Sequence, residues 1–375
     1  LRSDSFQTLL TSLLCIILGV AIGYVVLLII NPAGAWKSMS ALLKNFFHYP
    51  AGKLRMKYFG QTLVRTAPLL MCALSILFAY KVGMFNIGAA GQYVAGACVG
   101  LYAAIAWQLP WYLCLLLAIA AGAFLGAISG ALRTYCNVNV VISGIMLNWI
   151  VLYLTNMLLT LVKEDASPYT KVLANTNASA VLPSLGLGAL FNKNQYVGLA
   201  IPLAVVMAVI VWIVLDKTKF GYELKATGLN KNAAKYCGMA EKRNIILSLM
   251  ISGALAGMGA AMLYLTSYEQ WQCSSSSVPA MGFNGIAAAF LGGLNPIGSI
   301  FASFFIQHIT AGGAYVDKSM YCAQISDLIS ALIIYLCGFV LFMKNVMSSI
   351  AARREEKAIA KARALAEAKK GGETE

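Results

Sequence analysis

Charge is what this sequence has least of. Of its 375 residues only 11% are Asp, Glu, Lys or Arg, where a soluble globular domain carries about 25%. A further 60% are hydrophobic and the mean hydropathy is +0.75, so lipid rather than water is the solvent for most of the chain. No Cys-x-x-Cys pair occurs among the nine cysteines. Cys15, Cys72, Cys98, Cys114 and Cys337 lie inside apolar runs, where a thiol behaves as a small hydrophobe, and neither a disulfide framework nor a metal site follows. The two histidines, His48 and His308, are isolated. A Gly-x4-Gly-Lys-Ser/Thr phosphate loop is missing, which excludes ATP hydrolysis by that chemistry. No His/Asp/Glu or Ser/Lys constellation falls at membrane depth, which argues against a membrane-embedded enzyme.

What is present is a series of long apolar runs, at 9–30, 62–80, 84–107, 111–132, 140–162, 197–215, 245–266, 283–293, 298–313 and 325–343. A crossing helix needs roughly 20 such residues. In lipid the backbone must satisfy its own polar groups, which leaves helices or closed barrels; continuous rather than alternating runs select helices. The expected fold is therefore an all-α integral membrane protein of about eight to ten membrane helices, some short or broken. The first run is too long for a signal-peptide core and lacks a small-residue cleavage site, so it is expected to be retained.

The net charge of +14 is unevenly placed: seven Lys/Arg lie in the loop Asp216–Asn244 and eight from Lys344 onward. Basic clusters flanking spans normally face the cytoplasm. That assignment puts both termini inside and the loops 31–61 and 163–196 outside, and it divides the chain into a membrane domain, 1–343, and a cytoplasmic tail, 344–375. With no soluble domain to present a basic face, nucleic-acid binding is set aside. Loop 31–61 conflicts with the charge rule through Lys37, Lys44, Lys53, Arg55 and Lys57. Its Trp36, Phe46, Phe47, Tyr49 and Tyr58 suggest a segment lying at the interface. Gly122-x3-Gly126-x3-Gly130 and Gly253-x3-Gly257 read as close helix packing. Trp107 and Trp111, flanking Pro110, read as anchors in an aromatic belt. The Ala/Glu/Lys/Arg-rich tail reads as solvated and partly helical.

Four features bear on function. Gly83-Met84-Phe85-Asn86-Ile87-Gly88-Ala89-Ala90-Gly91-Gln92 opens an apolar run with three glycines and two amides. Such a run is either a helix capped by Asn86 or a broken helix, tolerated at membrane depth only where it is buried in protein or lines a cavity. Phe283-Asn284-Gly285-Ile286-Ala287-Ala288 echoes Phe85–Ala90, as two pseudo-symmetric halves would. Asn139, Asn148 and Asn156 place amides along one span, where each needs a partner; Asn148 is the preferred pathway residue and Asn156 reads as a bond between helices. Finally, Asn230 is suited to cap a short helix in the basic loop. Its small face, Ala233, Ala234 and Gly238, framed by Lys231, Lys235 and Tyr236, suits a groove on a partner; an ordinary orientation-setting loop is the plainer reading. With Gly292-Gly293-Leu294-Asn295-Pro296 as a turn, 283–313 should form two short or half-crossing helices.

Three stretches carry a resemblance: Ala67-Pro68-Leu69-Leu70 leading to Phe85-Asn86-Ile87-Gly88 and Gly91-Gln92; Gly221-Tyr222-Glu223-Leu224-Lys225-Ala226 through Gly228-Leu229-Asn230 and Ala233-Ala234 to Gly238; and Gly285-Ile286-Ala287 through Leu291-Gly292 to Asn295-Pro296-Ile297-Gly298. In this order, from about Thr62 to Phe342, the chain resembles the bacterial ABC-importer permeases of the ribose and branched-chain amino-acid superfamily. The likeness is greatest to nucleoside and simple-sugar permeases served by a basic-membrane-protein lipoprotein receptor. The resemblance implies a plasma-membrane permease paired with a second permease subunit, as a homodimer or heterodimer. It further implies a cytoplasmic ATP-binding subunit that holds ATP and magnesium, an external substrate-binding lipoprotein, and no cofactor on this chain. The interrupted segments and the amides within the spans place the expected substrate pathway at Phe85, Asn86, Gln92, Asn139, Asn148 and Asn284. The resemblance places coupling to the ATPase at Glu223, Lys225, Gly228, Asn230, Ala233, Ala234, Tyr236 and Gly238. The chain departs from the pattern at Ala90 and Val140, where such permeases often carry Glu, and at Lys81, where Arg is common. The lost acids suggest a specialised member of a heterodimer.

Acidic residues are missing from the clear spans, whereas an ion-coupled carrier normally places charge at membrane depth. A permease driven by external ATP is thus expected, and the resemblance implies nucleosides as its solute. A simple-sugar or branched-chain amino-acid importer, and a stand-alone transporter or channel that needs neither the loop nor an ATPase, are the alternatives.

Overall fold

The computed structural model describes residues 4–317 and 319–321 and isolated positions between 328 and 349. The expected last span, 325–343, the domain boundary at 343/344 and the tail lie wholly or mostly outside the described residues. In chain order the helices are α1 (Asp4–Ile30), α2 (Pro32–Lys44), α3 (Gly52–Tyr80), α4 (Ala89–Ile105), α5 (Trp111–Tyr135), α6 (Val140–Thr160), α7 (Leu173–Thr176), α8 (Ala200–Lys217), α9 (Lys219–Leu229), α10 (Lys231–Tyr236), α11 (Glu241–Tyr264), α12 (Ala280–Leu291) and α13 (Pro296–Gly312). Among the described residues the only β pairing is two isolated bridges. Helices α1, α3, α5, α6, α8, α11 and α13 are long and apolar enough to cross a membrane, while α4 and α12 are apolar and shorter. The chain is a multi-pass integral membrane protein.

Each apolar run up to residue 313 becomes a helix, and the differences from expectation sit at the ends. α3 starts at Gly52, not at 62, because Lys53-Leu54-Arg55-Met56-Lys57 are good helix formers with no breaker among them. The segment 31–61 is therefore mostly helical: α2, a 3-10 turn at Asn45–His48, and the first turns of α3. Asn31 caps α2, its side chain accepting from Ala33 N at 3.2 Å, with Pro32 in the first turn. Pro68 lies inside α3. The hydrogen bond it deletes is tolerated because neighbouring helices enclose this stretch, with 89% of the α3 window buried.

α3 and α11 form the centre and run antiparallel. A Cβ on Gly259 would sit 3.1 Å from Pro68 O. Further along, Ser252 Oγ donates to Ser75 O at 2.7 Å and Ser248 Oγ to Phe78 O at 3.3 Å. α5 lies on the other side of α11. A Cβ on Gly122 would run into Gly253 O, and one on Gly253 into Gly122 O, so the two backbones touch. The glycine spacing anticipated this contact. α1 is peripheral, with 22% of its window buried.

The molecule has two ends. α3 is 29 residues long, about 43 Å at 1.5 Å per residue. Its C-terminal end meets Gly228 of α9, so the loop 216–244 lies at one end. Tyr49, the start of α3, the 3-10 turn and the C-terminus of α13 lie at the other, where Leu43 O accepts from His308 Nε2 at 2.8 Å.

Candidate functional site

A glycine turns the chain just after α3. Gly83 has φ +72°, a left-handed turn that costs little without a Cβ, and Met84 N reaches back to Ala79 O at 3.1 Å. Residues 84–86 then run without helix before α4 begins at Ala89. The simple cap reading does not hold: Asn86 turns away from the α4 amides, and residues 84–86 form an unwound link between α3 and α4. Its Nδ2 donates to Gln92 Oε1 at 2.8 Å and to Ser252 Oγ at 2.7 Å. Both amides are buried, with Asn86 1% and Gln92 0% exposed. Asn86 Oδ1 and Gln92 Nε2 find no partner among the described residues.

The missing cap comes from another helix. Asn148 of α6, 2% exposed, accepts from Gly91 N at 2.7 Å and donates to Ile87 O at 3.2 Å. One side chain thus satisfies a backbone donor and a backbone acceptor that the break orphaned. Gly144 of α6 allows this approach, since a Cβ there would lie 2.7 Å from Gly88 N.

α12 begins beside α4. A Cβ on Gly282 would sit 2.5 Å from Ala90 Cα, and one on Gly285 2.7 Å from Cys72 Cβ. At the other end of α12, the Phe290 ring lies 5.4 Å from Tyr80 and 6.5 Å from the half-buried Phe85. The echo between Phe85–Ala90 and Phe283–Ala288 has no counterpart in local structure, since the first segment mostly precedes α4 and the second lies wholly inside α12; α4 and α12 nevertheless both start at mid-depth. From there α4 runs to the far end and α12 to the loop end. Their partly positive N-termini adjoin. The structure also accounts for Ala90 where a Glu is common in the resembled permeases: Ala90 is 1% exposed against Gly282, and a longer side chain would push α12 away.

The six expected pathway residues do not form one cluster. Asn86, Gln92 and Asn148 surround the break, with Phe85 at its edge. Asn284 is half-buried on α12. Asn139 is exposed and caps α6 at the loop end, accepting from Val141 N at 2.9 Å. Asn156, read as a bond between helices, instead fastens the segment entering α12: its Nδ2 donates to Ser275 O at 2.7 Å, and its Oδ1 accepts from Trp271 Nε1 at 2.9 Å. Two features escaped the sequence reading. Ser274–Ser277 form a polar, partly exposed strip leading to α12. On the open face of α6, Trp149 and Tyr153 stack at 6.3 Å and are 43% and 58% exposed. Their spacing of four along a uniformly apolar helix was the available signal.

The loop 216–244 folds as α9 and α10. Thr218 caps α9, accepting from Gly221 N at 3.1 Å. Asn230 caps α10, accepting from Asn232 N at 3.0 Å and Ala233 N at 3.1 Å. Lys225 pairs with Asp216 at 2.5 Å, and Glu223 lies 4.0 Å from Arg243. Asn244 Nδ2 donates to Thr227 Oγ1 at 3.1 Å. Gly228 packs onto the exit of α3, where a Cβ would meet Lys81 O and lie 3.0 Å from Val82 Cα. Burial there pushes the Lys81 ammonium below its ordinary range; Asp216 opposes the shift and Lys225 adds to it.

The small face expected of α10 needs one correction. Ala234 is 3% exposed and points into the chain's own interior, because the cap at Asn230 sets the rotation of this short helix. Ala233 and Gly238 remain exposed. The outward surface is dominated by Tyr236 and by Leu229, 92% and 89% exposed. Leu229 was not singled out in the sequence because it reads as an ordinary apolar residue in a helix.

Residues 58–338 match the family model described as the permease component of branched-chain amino acid transport systems. The chain is 32% identical over 347 residues, 91% of its length and 96% of the relative's, to the guanosine ABC transporter permease protein NupP of Bacillus subtilis. It is 31% identical over 92% of its length and 94% of the relative's to the nucleoside ABC transporter permease protein NupB of Lactococcus lactis. A second guanosine permease protein of Bacillus subtilis, NupQ, is 30% identical over 65% of this chain and 77% of its own length. No solved structure matches.

Proposed function

The chain belongs to the permease family of branched-chain amino acid transport systems, and from that premise we propose that it is the membrane subunit of an ATP-driven importer of nucleosides. The observation that carries the nucleoside reading is the end-to-end likeness to NupP and NupB, over more than 90% of both chains in each case. As a permease component the chain is the non-catalytic, transmembrane part of its transporter, and its family implies ATPase and binding-protein partners.

In this proposal the loop end faces the cytoplasm. Leu229 and Tyr236 enter a cleft on the ATPase, flanked by Ala233, Lys235 and Gly238, and both chain termini lie inside. Gly228 and Asn244 support the reading, since through them α9 touches both central helices. ATP-driven closure of the ATPases would press on α9. Gly228 would pass the load to Lys81 and Val82, directly before the broken segment that holds Asn86 and Gln92. The solute would pass along the open face of α6 and α12. There Trp149 and Tyr153 offer stacking surface to a base, and Asn284 and the Ser274–Ser277 strip offer hydrogen bonds to a ribose. The second permease subunit closes this face. NupP and NupQ, two guanosine permease proteins of one organism that both resemble this chain, support a heterodimer. A lipoprotein receptor delivers the solute from outside.

Reconstitution of the chain with its ATPase, second permease and receptor in proteoliposomes tests this reading. ATP-dependent uptake of guanosine is expected, with none of glucose or leucine. Uptake of glucose or leucine in place of guanosine overturns the nucleoside assignment. Uptake without ATP overturns the importer class.

A further inference from the structure

At the end opposite the docking loop, an apolar cleft of about 670 Å³ opens between the 3-10 turn, the start of α3 and α13. Its walls are Phe46, Phe47, Phe59, Phe304 and Phe305, with Arg55 at the rim. His308 contributes a ring face but no free nitrogen. A carbonyl only accepts, so Nε2 donates to Leu43 O at 2.8 Å, and Nδ1 meets Asn45 Nδ2 at 3.3 Å. The interior therefore has nothing to offer a polar solute.

The surroundings are cationic. Lys44, Lys53, Arg55 and Lys57 are all exposed, and Lys193 is exposed beside them, on the loop whose Asn194 Nδ2 donates to Lys57 O at 3.0 Å. Neither the stretch 31–68, nor α13, nor residues 187–197 contain an Asp or Glu. The nearby Asp317 is taken by Lys37 at 3.1 Å. Among the described residues, none of the five rim cations has a carboxylate partner. With the docking loop at the cytoplasm, as proposed above, this cluster stands at the end where flanking positive charge is normally sparse.

A third observation fixes the depth. Tyr49 and Tyr58 stack at 4.3 Å, and His48 stacks on Tyr315 at 5.4 Å, directly beside the cleft. Tyrosines gathered in this way mark the boundary between headgroups and hydrocarbon. Phenylalanine walls below that level and unpaired cations around it complement an amphiphile with an acyl chain and an anionic head.

We propose that this cleft is a binding site for one anionic glycerophospholipid of the leaflet opposite the docking loop. An acyl chain lies among Phe46, Phe59, Phe304 and Phe305, and the phosphate sits against Arg55, Lys53 and Lys57. The lipid bridges α13 to the α2–α3 corner, which otherwise meet there through His308 and its neighbours.

Gly52 supplies a clean test. It lines the cleft, and a Cβ on it meets nothing within 4 Å, so Gly52→Phe fills the cleft without straining the helix start. The assembled transporter is placed in nanodiscs of equal parts phosphatidylglycerol and phosphatidylcholine, then released, and the lipid retained on this chain is identified by native mass spectrometry. Wild type should retain phosphatidylglycerol in preference to phosphatidylcholine. K53E/K57E should lose that preference by about five-fold per lysine, and Gly52→Phe should retain neither lipid. Equal retention of the two lipids by wild type, or undiminished phosphatidylglycerol on Gly52→Phe, overturns the proposal. So does efficient crosslinking of Met56→Cys to another protein chain in the assembled transporter, because the cleft then has a protein occupant.

Discussion

Asn148 completes Gly91: the side chain of one helix caps the first turn of another, accepting from Gly91 N at 2.7 Å. Its other half holds Ile87 O, so Asn148→Leu strands one buried and one half-buried backbone group. Each orphan costs about 1–3 kcal/mol. The variant should insert, unfold at a clearly lower temperature in a fluorescence thermal-shift measurement, and lose uptake. A variant of unchanged stability and altered solute affinity would instead make Asn148 a solute contact and remove the clamp from the account.

Gly228 leaves no room for a side chain against the exit of α3: a Cβ on it would run into Lys81 O and lie 3.0 Å from Val82 Cα. Gly228→Val forces α9 away from the exit of α3, an overpacking of about 1–3 kcal/mol. Membrane insertion should be normal. Receptor-stimulated ATP hydrolysis by the assembled transporter should fall about ten-fold or more, while basal hydrolysis by the isolated ATPase is unaffected. Wild-type stimulation would break the proposed mechanical link.

Leu229 and Tyr236 are the most exposed large apolar residues of the docking loop, ahead of Tyr222 at 66%. Buried aromatic anchors of an interface are worth about 2 kcal/mol or more when truncated. Tyr236→Asp and Leu229→Asp should each weaken co-purification of the ATPase by about thirty-fold and leave the permease folded. Ala234→Arg should act differently: with Ala234 facing inward, it should destabilise the loop itself, seen as faster proteolysis between α8 and α11. Intact Ala234→Arg protein that has lost only the ATPase would return Ala234 to the docking face.

Gly122 and Gly253 bring α5 and α11 into backbone contact. Gly253→Leu should cost more than about 3 kcal/mol and lower the amount of folded protein sharply. Gly52→Ala, at an open position, should leave it unchanged. Gel filtration in mild detergent separates the two outcomes.

Much of this architecture was legible in the sequence, and the physical reason differs from part to part. The spans were plain because lipid demands long apolar runs, and the α5–α11 contact was plain because only glycine lets two backbones touch. The break at Gly83–Gly88 was legible from glycine density and the two amides. What held it was not: Asn148 is 57 residues from Gly91, and no local pattern links a cap to a helix so distant. The rotation of α10, which hides Ala234 and presents Tyr236, depends on Asn230 and on packing against α9. The extension of α3 back to Gly52 carries no apolar signal, because Lys53, Arg55 and Lys57 interrupt the run, although Lys and Arg are good helix formers.

The pairing of Ser75 with Ser252 has a consequence for how the protein is made. These partners are 177 residues apart, so α3 leaves the ribosome long before α11. At about 5–20 residues per second the interval is roughly 10–35 s. Throughout it the serine-bearing face of α3 has no α11 to pack against, and an insertase or chaperone that shelters early helices until the second half arrives would govern the yield of the whole transporter.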